Sequence, residues 1–524
     1  MSASTEKKNR QAARDAGTDK KLLAAQEEAK KQAKSKLRWT LGTIGVILLI
    51  AAILFLNSGL LYRSTAYTVG DRNYSASEVS YRYASQYQTF LSQYGSYASM
   101  FGVDSSAGLA GLRTSPCSFA EGTWRDYFLS AAETQLTQMT AVLDYARDNG
   151  IALDEDELAE VKASFDGMDE YAVQQGYANL DKLFAANYGT GVNTKLVTAA
   201  SEDSTLAAKA LQQVSDSFQY TDDELKAQYE SYNGEKDLFT YASYYVEATV
   251  TETPAAETDA EADATAASET QVTPEALAEA KAIAQDIEKA YNDATGDDYT
   301  ARLTEAADSV VPGAEATEHS AVSGSSLGSD KEWLMDASRK GGELAVTEDA
   351  GGSGYYVTVF LGRDDNSYKT AQVRHILIRA EAEADGTYTD EAKAAAKAQA
   401  EDILAQYKAG DQTEDSFAAL AEQYSSDTGS NTNGGLYDNI AKGQMVEQFE
   451  QFCFDDHKAG DTAIVYGESS GYAGYHVMYY VGEGQPYCDY LAETDLRSAE
   501  LSQWLSDLEA GYTSAEGFGI RFVG

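Results

Sequence analysis

AQVRHILIRA (residues 371–380) and AGYHVMYYVG (residues 473–482) are the two stretches whose reading decides the fold. Both are short apolar runs rich in Val, Ile and Tyr, and they read as strands. Between them lie an Ala-rich helical stretch from Glu391 to Tyr407, a second, SFAALAEQYS (416–425), and a Gly-rich turn, NTNGGLYDNIAKGQM (431–445). A short helix, VEQFEQFCF (446–454), follows. This order predicts an α/β domain over 368–487, in a chain that reads as α+β as a whole. His375 and His476, two of the chain's four histidines, fall mid-strand. Strand interiors flanked by Val, Ile and Leu are buried, and a buried imidazole needs a partner on each nitrogen. Either histidine alone reads as an ordinary core residue. Together they read as one polar network.

The order of residues here resembles the parvulin family of peptidyl-prolyl cis–trans isomerases. The resemblance rests on His375-Ile376-Leu377-Ile378, Phe417 with Leu420 and Ala421, and Tyr424-Ser425-Ser426-Asp427. It continues through Gly434-Gly435, Gly443-Gln444-Met445, Phe449, Gly460 and Gly474-Tyr475-His476. It implies that His375, Asp427 and His476 are catalytic and that Met445 and Phe449 hold the proline ring. Leu436-Tyr437-Asp438 departs from the Asp-Leu-Gly common in the family, with the turn length to Met445 unchanged. The implied reaction needs no nucleophile, cofactor or metal. Rotation about an X–Pro bond is slow because amide resonance must be broken, at about 18–20 kcal/mol. An enzyme speeds it by binding the twisted amide better than the planar one.

A weaker copy of the pattern lies upstream, over 238–367. TYASYYVEATV (240–250) matches the first strand, with Tyr245 at the place of His375. AQDIEKAY (284–291) matches AEDILAQY (400–407), and KEWLMDASRKGGELAV (331–346) matches EQFCFDDHKAGDTAIV (450–465). SGYYVTVFLG (353–362) matches the last strand, with Tyr356 for His476. No counterpart of Met445 and Phe449 is evident, so the expectation is a degenerate parvulin-like domain without isomerase activity. The acidic Ala/Thr run 249–273 reads as a disordered insert. His319 reads as part of a polar loop and His457 as a solvated one.

Of 524 residues, 40 are Lys or Arg and 84 Asp or Glu, a net charge of −44, which argues against nucleic acid as a partner. Residues 1–38 carry a net +6 and the remainder −50. Where the signs change, Trp39–Tyr62 has no charged residue. As a helix it would be about 36 Å long, against a hydrocarbon core of about 30 Å. Lys30, Lys31, Lys34, Lys36 and Arg38 just before it predict a cytoplasmic N-terminus and an extracytoplasmic bulk. No A-x-A site follows the stretch, so an uncleaved transmembrane anchor (39–62) is expected. Cys117, Cys453 and Cys488 suggest neither a disulfide framework nor zinc.

Residues 63–237 read as mostly helical, with capping boxes Ser75/Glu78, Asp154/Glu157 and Thr221/Glu224. Residues 488–524 hold one more amphipathic helix, whose apolar side needs a partner in that helical region. The whole resembles membrane-anchored PrsA/SurA-like foldases, in which N-terminal helices and the last helix make one chaperone module with isomerase domains inserted. The resemblance implies unfolded exported polypeptides with X–Pro bonds as clients. The alternative is a holdase whose parvulin folds grip chains without catalysis.

Overall fold

The computed structural model describes residues 3–17, 20–57, 59–248, 272–469 and 471–524, with only the backbone at some positions in 20–37 and at 51–57. It mixes helix and sheet in two compact units, 1–218 with 499–524 and 219–498.

In the first unit, capping boxes at Ser75/Glu78, Thr123/Asp126 and Asp154/Glu157 open the helices Ala76–Tyr94, Trp124–Asp148 and Glu155–Ala163. Each cap satisfies two N–H groups that the first helical turn leaves free. The first two helices bury Tyr83, Phe90, Trp124, Phe128 and Leu136 in one core. A three-stranded antiparallel sheet of Thr65–Val69, Arg72–Ser75 and Ser514–Glu516 adds Tyr67 and Val69 to that core. Sequence periodicity did not reveal this sheet, because strands of three to five residues are too short to show alternation. In the final helix, Leu505 and Leu508 pack with Val142, Ala146, Ala207 and Ala210, and the Trp504 ring lies edge-on 4.9 Å from Tyr145.

Helices also span Ala3–Asp15 and Lys20–Asn57, and the second carries the tail from Lys20 into the apolar stretch without a break. The helical part of that stretch ends at Asn57, five residues short of Tyr62, and a turn of 3₁₀ helix follows at Leu61–Arg63. Among the described residues no helix is long and apolar enough to cross a membrane.

The second unit holds two four-stranded antiparallel sheets. The first comprises β1 (Leu238–Glu247), β2 (Thr317–Ser323), β3 (Leu344–Glu348) and β4 (Gly354–Asp364), in the order β2-β1-β4-β3. The second comprises β5 (Lys369–Arg379), β6 (Leu436–Ile440), β7 (Thr462–Ser469) and β8 (Tyr472–Pro486), in the order β6-β5-β8-β7. Each is covered by a long helix and a shorter one, Pro274–Asp293 with Tyr299–Val310 and Asp390–Ala409 with Glu414–Tyr424. Strand β6 lies inside the stretch read as a turn. The acidic run 249–273, apart from Val272 and Thr273, lies outside the described residues.

The registers of the two sheets correct one expectation. Met478 pairs with His375 and His476 with Leu377 in the second sheet, whereas Thr358 pairs with Ser243 and Tyr356 with Tyr245 in the first. Tyr356 therefore does stand where His476 stands. The counterpart of His375, however, is Ser243, and Tyr245 takes the place of Leu377. A two-residue slip keeps every side chain on its face, so the strand pattern alone did not detect it.

Candidate active site

Along β5, alternate side chains face opposite sides of the sheet. Ile376 and Ile378 pack under the helix Asp390–Ala409 with Ala396, Ala400 and Ile403. Val373 faces the other way, in a cluster with Phe449, Phe452 and Met478, and His375 shares that face. His476 on β8 sits diagonally opposite. The two rings stack with centroids 5.2 Å apart, and their Nδ1 atoms are 3.0 Å apart. Both are buried, at 3 % and 5 % exposed.

Asp427 follows the helix Glu414–Tyr424. Leu377 N–H donates to Ser425 Oγ at 3.1 Å and Ser426 N–H to the Leu377 carbonyl at 2.8 Å, which ties this segment to β5. Asp427 Oδ2 then lies 2.9 Å from His375 Nε2 and also accepts from the Ser430 and Tyr437 hydroxyls. Its Oδ1 accepts from Gly429 N–H at 3.2 Å. Gly435 closes the turn with φ +73°, and a Cβ there would lie 2.2 Å from the His375 carbonyl, so the close approach requires glycine. At the far end, Tyr472 Oη is 3.3 Å from His476 Nε2. Gly467 on β7 leaves room for that pair, since a Cβ there would come within 2.7 Å of the imidazole.

The His375 hydrogen bond, together with Ser430, holds the Asp427 carboxyl well below the usual carboxylate range against the effect of burial. Burial first, and neighbouring His375 second, push His476 down to about 3. Burial and then the Asp427 charge push Tyr437 up to about 12. One arrangement of the ring protons satisfies the contacts along this line. His375 Nε2–H donates to the carboxylate, His476 Nδ1–H donates to His375 Nδ1, and the Tyr472 hydroxyl donates to His476 Nε2. The Asp427 carboxyl thus stands at the end of a hydrogen-bonded chain that runs through both rings to Tyr472.

Phe449, 2 % exposed, presents its ring edge-on to His375 and His476 at 5.3 and 5.2 Å. It bounds a cavity of about 240 Å³ with Leu377, Met445, Val446 and the two histidines. All five residues named from the sequence therefore line one cavity. Ser430, Tyr437 and Tyr472 were missed. Tyr437 carried a signal, since it lies in the triplet that departs from the family pattern. His457 is no solvated loop residue: it is half-buried, with its ring 4.3 Å from Phe452. His319 lies on β2, stacked 4.6 Å from Tyr241 and 3.0 Å from Ser243 Oγ.

The family model described as the PPIC-type PPIASE domain matches residues 355–479. Foldase protein PrsA 1 of Listeria innocua is 34 % identical over 109 residues, which make up 20 % of this chain and 30 % of that protein. The chain thus spans less than a third of the length of that curated relative. Among solved structures, PrsA from Bacillus subtilis is 14 % identical and covers 78 % of this chain and 91 % of its own, with a TM-score of 0.26. PrsA from Streptococcus pneumoniae is 10 % identical over 75 % and 87 %, with a TM-score of 0.22. Those two scores are too low to support a statement about the fold. The domain match and the 34 % identity agree with the parvulin resemblance in the residues, and the stretch 355–479 is similar to the PPIC-type PPIASE domain.

Proposed function

We propose that this chain is a parvulin-type peptidyl-prolyl isomerase and foldase that assists newly exported polypeptides at the outer face of the cell membrane. The observation that carries this reading is a fully bonded His375–His476–Asp427 network beneath an apolar cavity walled by Phe449 and Met445. Phe449 and Met445 hold the proline ring. The twisted amide, whose nitrogen has lost conjugation, lies over the paired imidazoles. Catalysis is differential binding of that geometry, with no bond cut.

Residues 63–237 and the last helix act as the chaperone module, and 238–367 is a parvulin-like domain that has lost the isomerase site. Trp39 onward anchors the chain. The helical part, Trp39–Asn57, is about 28 Å long, close to a hydrocarbon core of about 30 Å. Its apolar side chains from Trp39 to Ile50 are exposed. The +6 tail sets the N-terminus inside. Protease added to intact cells should digest the chain beyond about residue 63 and spare the tail; a full-length chain after effective shaving would contradict the anchor.

The enzyme reading is tested by cis–trans relaxation of an Ala-Pro peptide with the full-length protein. Acceleration is expected. A rate equal to that of buffer, from protein that still suppresses aggregation of an unfolded client, would favour the holdase instead.

A further inference from the structure

The face of the first sheet that corresponds to the proline cavity is not closed. It opens on a cleft of about 460 Å³ lined by Ser243, His319, Asp330, Asp349 and Tyr356. The registers give each residue its counterpart. Thr358 stands where Met478 does, Ser243 where His375 does, and His319, paired with Tyr241, where Tyr437 pairs with Val373. Setting KEWLMDASRK (331–340) against EQFCFDDHKA (450–459) places Asp330 at Phe449. Packing agrees, because Asp330 Oδ2 accepts from the Thr358 hydroxyl at 2.5 Å while Phe449 packs in the same cluster as Met478. The apolar grip is thus replaced by a carboxylate.

That carboxylate is incompletely satisfied. Asp330 is 6 % exposed, and its Oδ1 has no hydrogen-bond partner among the described residues. Asp349, the second carboxylate at the cleft, binds Gly351 N–H and the Ser353 hydroxyl through Oδ2. Neither meets a cation, since no Lys or Arg lines the cleft among the described residues. The acidic run 249–271, which follows β1 in sequence, contains no Lys or Arg to supply one. Burying an unpaired carboxylate is costly, and a cationic hydrogen-bond donor removes that cost. Tyr241 and Tyr356 also line the cleft, beside the two carboxylates.

We propose that this cleft binds a lysine or arginine side chain of an extended polypeptide. This rests on the reading that the chain handles polypeptide clients, but not on its isomerase activity. The first sheet would hold a client by a basic residue while the second acts on a proline.

The test uses the full-length protein in detergent micelles at about 150 mM salt, where exposed charges more than about 8 Å apart are largely screened. Fluorescent Ala-based pentapeptides with Lys, Arg, norleucine or Glu at the centre are titrated by anisotropy. Lys and Arg peptides should bind at least tenfold tighter than norleucine, and Glu weakest. Asp330→Asn should abolish the preference. So should Ala350→Trp, which crowds the exposed rim and serves if the first variant does not fold. Turnover of an Ala-Pro peptide should stay within twofold of the parent in both, so absence of isomerase activity would sink the proposed function without touching this site. Equal binding of Lys and norleucine peptides overturns the proposal, and so does a Lys preference that survives both substitutions, which would mean that the general acidity of the chain holds the peptide.

Discussion

The two sheets of the second unit share strand order, strand direction and covering helices, yet they present different chemistry on one face. The long helices that cover them bury matching residues. Ala280, Ala284, Ile287 and Tyr291 are buried in the first, and Ala396, Ala400, Ile403 and Tyr407 stand at the same spacing in the second. The cleft-facing sides share almost nothing. Ser243, His319, Asp330 and Tyr356 stand against His375, Tyr437, Phe449 and His476. Fold and site thus occupy opposite faces of the same strands, and because side chains alternate, one face can change while the other keeps the core. A likeness of sheets therefore says nothing about activity until the register has assigned each residue to its face.

The largest effect expected on stability is at Phe449. Phe449→Ala should destabilise the second sheet by about 3–5 kcal/mol through the cavity it leaves, and should abolish turnover. Chemical denaturation followed by hydrogen exchange should show the loss in β5–β8 and leave β1–β4 protected. Equal loss in both sheets would mean that they are one cooperative element rather than two.

Acid should separate the sheets next. His476 is held down to about 3, against about 6.5 in an unfolded chain. Below 6.5 the unfolded chain takes up the proton first, so this stabilisation is complete above 6.5 and declines by up to about 1.4 kcal/mol per pH unit as pH falls towards 3. Asp427, also depressed, adds its own loss only below about 4. Tyr356 replaces His476 in the first sheet and brings no such proton. Exchange protection, corrected for intrinsic rates, should therefore fall in β5 and β8 between pH 7 and pH 5 and hold in β1 and β4; a uniform decline would place the acid sensitivity elsewhere.

Met445→Ala should lower kcat/KM about tenfold, as expected for a lost apolar contact worth about 1–2 kcal/mol on a side chain that is only half-buried. An unchanged value would remove Met445 from the grip on proline. The smallest effect concerns the residue before proline. Glu381, Glu383 and Asp385 are exposed after β5, and Arg379 is the one Lys or Arg lining the cavity among the described residues. Glu-Pro and phospho-Ser-Pro peptides should turn over roughly two- to threefold more slowly than Ala-Pro at low salt, the difference fading as salt is added. Faster turnover of the phosphopeptide would show that this loop does not face the substrate.

Much of this was legible in the sequence because it rests on local pattern. Capping boxes mark helix starts, short apolar runs mark β5 and β8, and the parvulin resemblance already points to His375, Asp427, Met445, Phe449 and His476. What escaped depends on long-range pairing. β6 holds only five residues behind two glycines, and the counterpart of His375 changes with a two-residue shift of register. Ser430, Tyr437 and Tyr472 look like ordinary turn and strand residues until the fold brings them onto Asp427 and His476.

The most direct test exchanges the chemistry of the two sheets in the full-length protein and follows Ala-Pro relaxation. His375→Ser with His476→Tyr, which gives the second sheet the identities found in the first, should remove at least about 100-fold of the acceleration, or roughly 2.7 kcal/mol. Ser243→Ala with Tyr356→Phe should leave the rate within twofold. The account is contradicted if the first variant, shown to be folded by circular dichroism, turns over as the parent does, or if the second loses the activity.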